Sequence, residues 1–344
     1  MSRNISPDSG AHWTEPGAWP VAAGIHRIPL PLPMDALQAI NVYTLETDDG
    51  LTLIDGGWAL EASRAALVAA LDGIGRSLKD IRAFLVTHAH RDHYTQAVTL
   101  RAELGAHVSL GVGERATLER MHRFAGGESP FVPLLERSGA HDLAALWAAQ
   151  DHHDVEVEQW ELPDTWLETD HQLLVGGRDV SAVSTPGHTR GHFVFADLAD
   201  GLLFAGDHVL PTITPSIGFE GDPSDQPLGD FLSSLAKVRA LPDLRVLPAH
   251  GPVGMSSHTR VDELLEHHDH RLALCVEALR AGEQTAYQVA TQLPWTRRSH
   301  ELDDLDPFNA SLATMETRVH LLLLVARGQV TRSVIDGQDV YRLA

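Results

Sequence analysis

Cysteine is almost absent: Cys275 is the only one in 344 residues. An internal disulfide and any metal site built from cysteine thiolates are thereby excluded. Lysine is nearly as scarce, since Lys79 and Lys237 stand alone and arginine carries almost all the positive charge, a bias that genome composition explains as readily as function does. Long apolar runs are missing too. No stretch approaches the roughly 18 residues of a membrane span, and the polar, proline-broken Met1 to Pro20 offers no signal-peptide pattern of a basic region before an apolar core. A cytoplasmic protein that neither spans nor lines a membrane is the expectation. Positive charge as a whole is deficient: 26 basic against 47 acidic residues give a net charge of -21, which repels phosphate backbones and disfavours nucleic acid as a partner.

What is present is enough apolar material, 43% of 344 residues, for one large core plus a smaller module. From about Ile25 to Ala249, short apolar runs recur and end in turn or polar residues: "INVYTLET", "LTLIDGG", "IRAFLVTHAH", "AHVSLGV", "DVSAVSTPGH", "GLLFAGDH", "LRVLPAHG". Their Val, Ile, Leu and Thr content reads as strand. Helical spacing in Ala59 to Gly73 and Asp230 to Leu241 makes the class mixed α/β.

Residues 118–165 break the rhythm with "FAGGESPF", an alanine-rich helix at His141 to Ala149 and the acidic "QDHHDVEVEQWELPD". The segment reads as an inserted lid or cap, with surface decoration as the bland alternative. Its Phe131, Trp147 and Trp160, with neighbouring Trp166, could line an apolar pocket that sets selectivity. Beyond Pro252 the texture turns helical: Arg260 to Gly282, the short "TAYQVATQL", then Ala310 to Gly328. A final hairpin follows, turning at Asp336-Gly337, and helices before a two-stranded hairpin suggest a winged-helix module. The linear division is an N-terminal arm (1–24), a catalytic domain (25–258) and a C-terminal helical domain (259–344).

Histidine is where the chain is rich. In "LVTHAHRDHY" three histidines and an aspartate fall within six residues, a string that accident produces in roughly 0.5% of chains this rich in histidine. His88 and His90, two apart where a buried strand ends, can project to one side, and Asp92 and His93 can be aimed back from the opening of a helix. Imidazole with carboxylate suits zinc, with iron or manganese less favoured. The string holds donors for part of two sites. His188 in "STPGHTRGH", Asp207 in "LLFAGDH" and His250 in "LPAHG", each after a strand-like run, can complete them.

"HAHRDH", "PGHTRGH", "FAGDH" and "PAHG" in this order, with "LIDGG" around Asp55, resemble the metallo-β-lactamase-fold hydrolases from about Ile25 to Pro252. The resemblance implies an αββα sandwich with a two-metal site at one edge. It places His88, His90 and His188 on one metal, Asp92, His93 and His250 on the other, and Asp207 on both. Asp55 is implied to orient the ligand-bearing loops, though a turn-forming Asp before Gly-Gly reads equally well. His192 reads as structural, and His208 could face substrate. His152, His153, His267, His268 and His270 sit in acidic stretches that read as solvated, and carry no role.

Two divalent ions about 3.5–4 Å apart would share a water and lower its pKa toward ~7, which supplies the nucleophile. Asp92 could then orient that water or pass a proton to the leaving group. The C-terminal "ETRVHLLLLVARGQVTRS" and "GDHVLPTITPSIG" resemble a subgroup whose winged-helix tail accompanies acyl-thioester or ester hydrolases and an endoribonuclease. From Gln284 to Ala344 six arginines face seven acids, no basic reading surface. Hydrolysis of a carboxylic ester, thioester or lactone is therefore the first expectation, an endoribonuclease or phosphodiesterase the second, and a non-catalytic metal-binding regulator the third. The tail would close the active-site mouth or build a homodimer interface, unless Leu321 to Val325 simply pack a core.

Overall fold

The computed structural model describes residues 4–33, 37–123, 129–149, 156–295 and 300–344. The chain forms two compact units, each assembled from separated stretches. The first comprises Met1–His122, Glu156–Pro215 and Ser234–Asp262; the second comprises Arg123–Val155, Ser216–Ser233 and Glu263–Ala344. Most of the 118–165 insertion thus belongs with the C-terminal residues, a division that no linear cut reproduces.

In the first unit, β1 (Trp19–Ala22), β2 (Ile25–Pro31), β3 (Ala39–Thr47), β4 (Gly50–Ile54), β5 (Ile81–Leu85), β6 (His107–Gly111) and β7 (Thr165–Leu167) lie side by side in sequence order. Pairing is antiparallel from β1 to β4 and parallel from β4 to β7. The change follows from the connections: α1 (Glu61–Gly73) and α2 (Arg91–Leu104) are the crossovers that parallel neighbours require, and α3 (Arg115–Arg123) follows β6. The second sheet has the order β12-β11-β10-β9-β8, from β8 (His171–Val175), β9 (Arg178–Ser184), β10 (Phe193–Asp197), β11 (Leu202–Gly206) and β12 (Arg245–Pro248).

Apolar side chains of the two sheets meet in one core. Ile25, Tyr43, Leu45, Ile54 and Leu85 from the first pack with Val180, Phe193, Phe195, Phe204 and Leu247 from the second. The Tyr43 and Phe204 rings meet edge to face at 5.4 Å. Helix α1 packs on β2, and α2 packs on β5 and β6, which covers those strands on one face. The architecture is the αββα sandwich expected.

The second unit holds α4 (Phe131–Arg137), α5 (His141–Ala148), the start of α6 (Pro227–Ala240), most of α7 (Ser257–Ala278), α8 (Ala286–Ala290) and α9 (Pro307–Ala326). It also holds a small sheet of order β13-β15-β14, from β13 (Gln284–Thr285), β14 (Val330–Ile335) and β15 (Gln338–Leu343). The expected hairpin turn is present: Asp336 and Gly337 have φ of 49° and 81°, and Ile335 pairs with Gln338. Asp306 caps α9 by accepting from the Phe308 and Asn309 amides, and Leu321 to Leu324 are buried.

The insertion aromatics divide between the units. Phe131 stacks on Phe219 at 4.1 Å, Trp147 packs beside both, and its indole N–H donates to Ser311 Oγ at 2.9 Å, all in the second unit. Trp160 and Trp166 belong to the first. His268, read as solvated, is instead fully buried, 3.1 Å from His320 Nε2. The reason is the α7 stripe of Val261, Leu264, Leu272 and Cys275, whose helical spacing places residue 268 on its apolar face. His152 and His153 lie outside the described residues. Among the described residues, no helix is long and apolar enough to cross a membrane.

Candidate metal centre

Each of the seven ligand candidates stands just beyond a strand of the first unit. His88 and His90 follow β5, and His90 is the N-cap of α2, whose first turn carries Asp92 and His93. His188 lies between β9 and β10, Asp207 follows β11 and His250 follows β12. They gather into two groups, His88, His90, His188 and Asp207, and Asp92, His93 and His250, with candidate ligand atoms within 4.8 Å of one another in each.

Asp207 faces both. Its Oδ2 is 3.5 Å from His188 Nε2, while Oδ1 is 3.6 Å from His93 Nε2 and 3.4 Å from His250 Nε2. Asp92 Oδ2 lies 3.4 Å from His250 Nε2 and 3.7 Å from His93 Nε2. In the first group His90 Nδ1 is 2.9 Å from His88 Nε2 and 3.2 Å from His188 Nε2.

The spacings around Asp207 and Asp92 suit shared cations, while those at His90 are shorter. Ligand bonds of about 2.0–2.2 Å arranged tetrahedrally imply donor-to-donor edges of about 3.3–3.6 Å. His93 Nε2, His250 Nε2 and Asp207 Oδ1 are moreover buried without a hydrogen-bond partner, an arrangement that costs free energy unless something positive sits between them. The charge balance agrees. Although burial opposes the charge on His93, the carboxylates of Asp55, Asp92 and Asp207 raise its pKa to about 10. Burial also opposes the ionised form of Asp92, but His93 and His250 hold it well below the usual carboxylate range. The first group behaves differently, since desolvation and neighbouring imidazoles push His90 down to about 3 and His88 down as well. His88 and His90 kept neutral, and the pair His93 and His250 kept among carboxylates, are donors suited to divalent ions.

The donors are aimed by what lies behind them. Asp55, in the left-handed region at φ 62°, accepts from the Thr87 amide at 2.8 Å, the Thr87 hydroxyl and His93 Nδ1 at 2.9 Å, so His93 Nε2 turns toward the site. His250 Nδ1 donates to the Ala39 carbonyl at 2.8 Å, which turns its Nε2 inward likewise. His192 is no ligand: it bonds Thr185 Oγ1 at 2.9 Å and accepts the Asp207 amide at 3.2 Å. Gly206, at φ 50°, must be glycine because a Cβ would stand 2.7 Å from that same His192 Nε2. His208 does not face substrate; it is fully buried and bonds the Ser234 backbone.

Glu114 escaped the sequence reading. Fully buried, it accepts a hydrogen bond from the Thr189 hydroxyl and meets the Gly191 and Ala89 amides, joining the loop of His88 and His90 to the loop of His188. Desolvation outweighs those bonds and raises its pKa to about 7. Gly191 lies so close to Glu114 that a Cβ would stand 2.4 Å from the Glu114 amide nitrogen. A lone Glu in "GVGERA" gives no sequence signal of this role.

The family model of the metallo-beta-lactamase superfamily matches residues 36–250. The chain belongs to that superfamily. A metallo-beta-lactamase-fold structure, the beta-lactamase domain protein from Burkholderia ambifaria, superposes with TM-score 0.79 and 28% identity, covering 95% of this chain and 94% of that one. Among curated metallo-beta-lactamase relatives, the Beta-lactamase-like protein 2 homolog of Caenorhabditis elegans is 26% identical over 275 residues, 78% of this chain and 77% of its own. The hydroxyacylglutathione hydrolase of Bartonella henselae is 37% identical over 98 residues, 27% of this chain and 35% of its own. Family and cluster together make this chain a metal-dependent hydrolase.

Proposed function

We propose that the protein is a binuclear hydrolase that cleaves a carboxylic ester, thioester or lactone, with His88, His90 and His188 on one cation, Asp92, His93 and His250 on the other, and Asp207 on both. The observation that carries this reading is the split allegiance of Asp207, whose two carboxylate oxygens face different histidine groups. Zinc is the first expectation for this donor set, with iron or manganese the alternatives. When bound, such a pair supplies Lewis acidity and a water of lowered pKa.

The chain's own residues do the rest. Burial of His88, His93, His188 and His250 excludes bulk solvent and strengthens every charge interaction there. Asp92 is the most exposed of the carboxylates at the site, with 15% of its side chain accessible against 9% for Asp207. It is held ionised, so it accepts a proton from the attacking water and hands it to the departing alcohol or thiol. Asp207 stays ionised as well, pulled down against its burial chiefly by His250 and His93, and serves as the shared ligand.

Several features favour a carbonyl substrate over a nucleic acid. Net charge is -21, and the hairpin of β14 and β15 sets Asp339 against both Arg137 and Arg332, which offers no basic face to a phosphate backbone. One relative, matched over 27% of this chain, is named for the hydrolysis of an acylglutathione, which supports an acyl substrate here. We read the C-terminal helices and hairpin as a winged-helix-like module without a nucleic-acid role, and the setting as cytoplasmic.

Elemental analysis of protein purified without added metal, beside turnover of acyl-CoA, aryl ester, lactone, β-lactam, bis-p-nitrophenyl phosphate and RNA, tests the proposal, with His90→Ala as the control. Near two metals per chain with carbonyl turnover abolished in the control is expected. Trace metal after reconstitution, and no activity above the control, would sink the catalytic reading and bring a binding role for the winged-helix-like module to the front.

A further inference from the structure

We infer that the arm before β1 is a positioning strap for the His250 side of the centre, acting through the buried chain Asp8–Arg27–Asn41. The inference rests on the proposal that Asp92, His93 and His250 hold the second cation.

The argument begins on β3. Ala39, Asn41 and Tyr43 alternate along it and so share one face, and all three grip the loop that carries His250. The Ala39 carbonyl accepts His250 Nδ1 at 2.8 Å; the Asn41 amide donates to the Ala249 carbonyl at 2.7 Å; the Tyr43 hydroxyl donates to the Pro248 carbonyl at 2.7 Å. The Asn41 side chain completes the grip, donating from Nδ2 to the Pro248 carbonyl at 3.1 Å and the Gly251 carbonyl at 2.9 Å. The Ala39 bond fixes the His250 ring, and the Asn41 and Tyr43 bonds fix the backbone on either side of it.

Asn41 can give both amide hydrogens to the loop because its Oδ1 is engaged elsewhere, by Arg27 Nη1 at 2.9 Å. Arg27 is wholly buried. A guanidinium there is tolerable only when its charge is paired and its donors are used. The arm supplies both: Asp8 accepts from Nε at 2.7 Å and Nη2 at 3.3 Å, and the Trp13 carbonyl accepts Nη1 at 2.6 Å. Ser6 Oγ further takes the Val253 amide at 3.2 Å, just past the same loop. The arm residues are thus the counter-charge that lets Arg27 stay in place and pin Asn41.

Removing Asp8 leaves an unpaired buried cation, and Arg27 then draws toward water and releases Asn41. His250 Nε2, now 3.4 Å from both Asp92 and Asp207, loses its preset position. The His88, His90 and His188 group leans on different supports, Thr87, Glu114 and their loops. The effect should therefore be confined to one cation.

The test is a zinc titration of the metal-free full chain against a chromophoric chelator, with Asp8→Ala placed in two backgrounds. In His90→Ala, which disables the first group, Asp8→Ala should weaken the remaining zinc roughly 10- to 100-fold, the loss typical when a ligand's support is removed. In His250→Ala, which disables the second group, the same change should shift affinity less than about twofold. Asn41→Asp, which keeps the Arg27 contact but cannot donate to the two carbonyls, should repeat the selective loss, and Asp8→Glu should restore most of it. Equal losses in both backgrounds, or no loss in either, overturn the strap. If Asp8→Ala does not fold, Asn41→Asp decides alone. A wild-type chain that binds fewer than two zinc ions sinks the two-cation proposal itself, an outcome separate from two ions bound with indifferent variants.

Discussion

Asp55 and His93 form a buried pair, carboxylate oxygen to Nδ1 at 2.9 Å, and the aspartate holds this geometry from a left-handed backbone conformation that few non-glycine residues adopt. Asp55→Asn offers a group that can still accept from Thr87 but leaves His93 less basic and less firmly aimed. The expected loss in affinity at the Asp92–His93–His250 group is about 10- to 100-fold. Competition against a chelator measures it, and an unchanged affinity would mean that Asp55 merely shapes its turn.

Asp207→Ala removes a carboxylate whose two oxygens face different histidine groups. Metal content should fall from two per chain to one or less, with turnover down at least roughly 100-fold, the order of magnitude attached to losing one strong electrostatic group. Mass-spectrometric metal counting and kcat/KM on the best carbonyl substrate provide both readouts.

Glu114 makes stability depend on pH in a calculable direction. Its carboxyl is raised from 4.5 to about 7 by burial, so the native state holds the proton more tightly than the unfolded chain does. The contribution is fully present below pH 4.5 and is lost as pH rises through about 7, a swing on the order of 3 kcal/mol. Glu114→Gln cannot ionise. Urea unfolding of metal-free protein should show the variant gaining on wild type by that order between pH 4 and pH 8; a pH-independent difference would refute the assignment.

Gly206→Ala introduces a Cβ 2.7 Å from His192 Nε2 at a φ of 50°, immediately before Asp207. Strain of about 1–3 kcal/mol is expected, together with displacement of the Asp207 amide that His192 accepts. A lowered urea midpoint with reduced metal content would match; a shift confined to stability would place the strain away from the ligand.

Much of the centre was legible because its chemistry is contiguous. Histidine and aspartate at positions 88, 90, 92 and 93 declare themselves within one string, and the strands before His188, Asp207 and His250 are apolar enough to be seen. The supports were not legible. Glu114, Thr87 and Asn41 acquire their roles only when distant loops meet, as when Asn41 reaches carbonyls more than 200 positions away, and nothing in their neighbours' identity anticipates that. Strand β2 was missed because Pro29 and Pro31 interrupt "IHRIPLP". His268 was misplaced because acidic neighbours in sequence masked the apolar stripe to which it belongs.

The second unit joins residues 123–155 and 216–233 to everything from 263 onward. On the ribosome, Phe131 and Trp147 emerge well before α9 exists to receive them: at about 5–20 residues per second the wait is roughly 10–40 s. During that interval a nascent chain displays aromatic surface that α9 has yet to cover, so its yield in the cell should respond to chaperone supply and to codon choice downstream of residue 155.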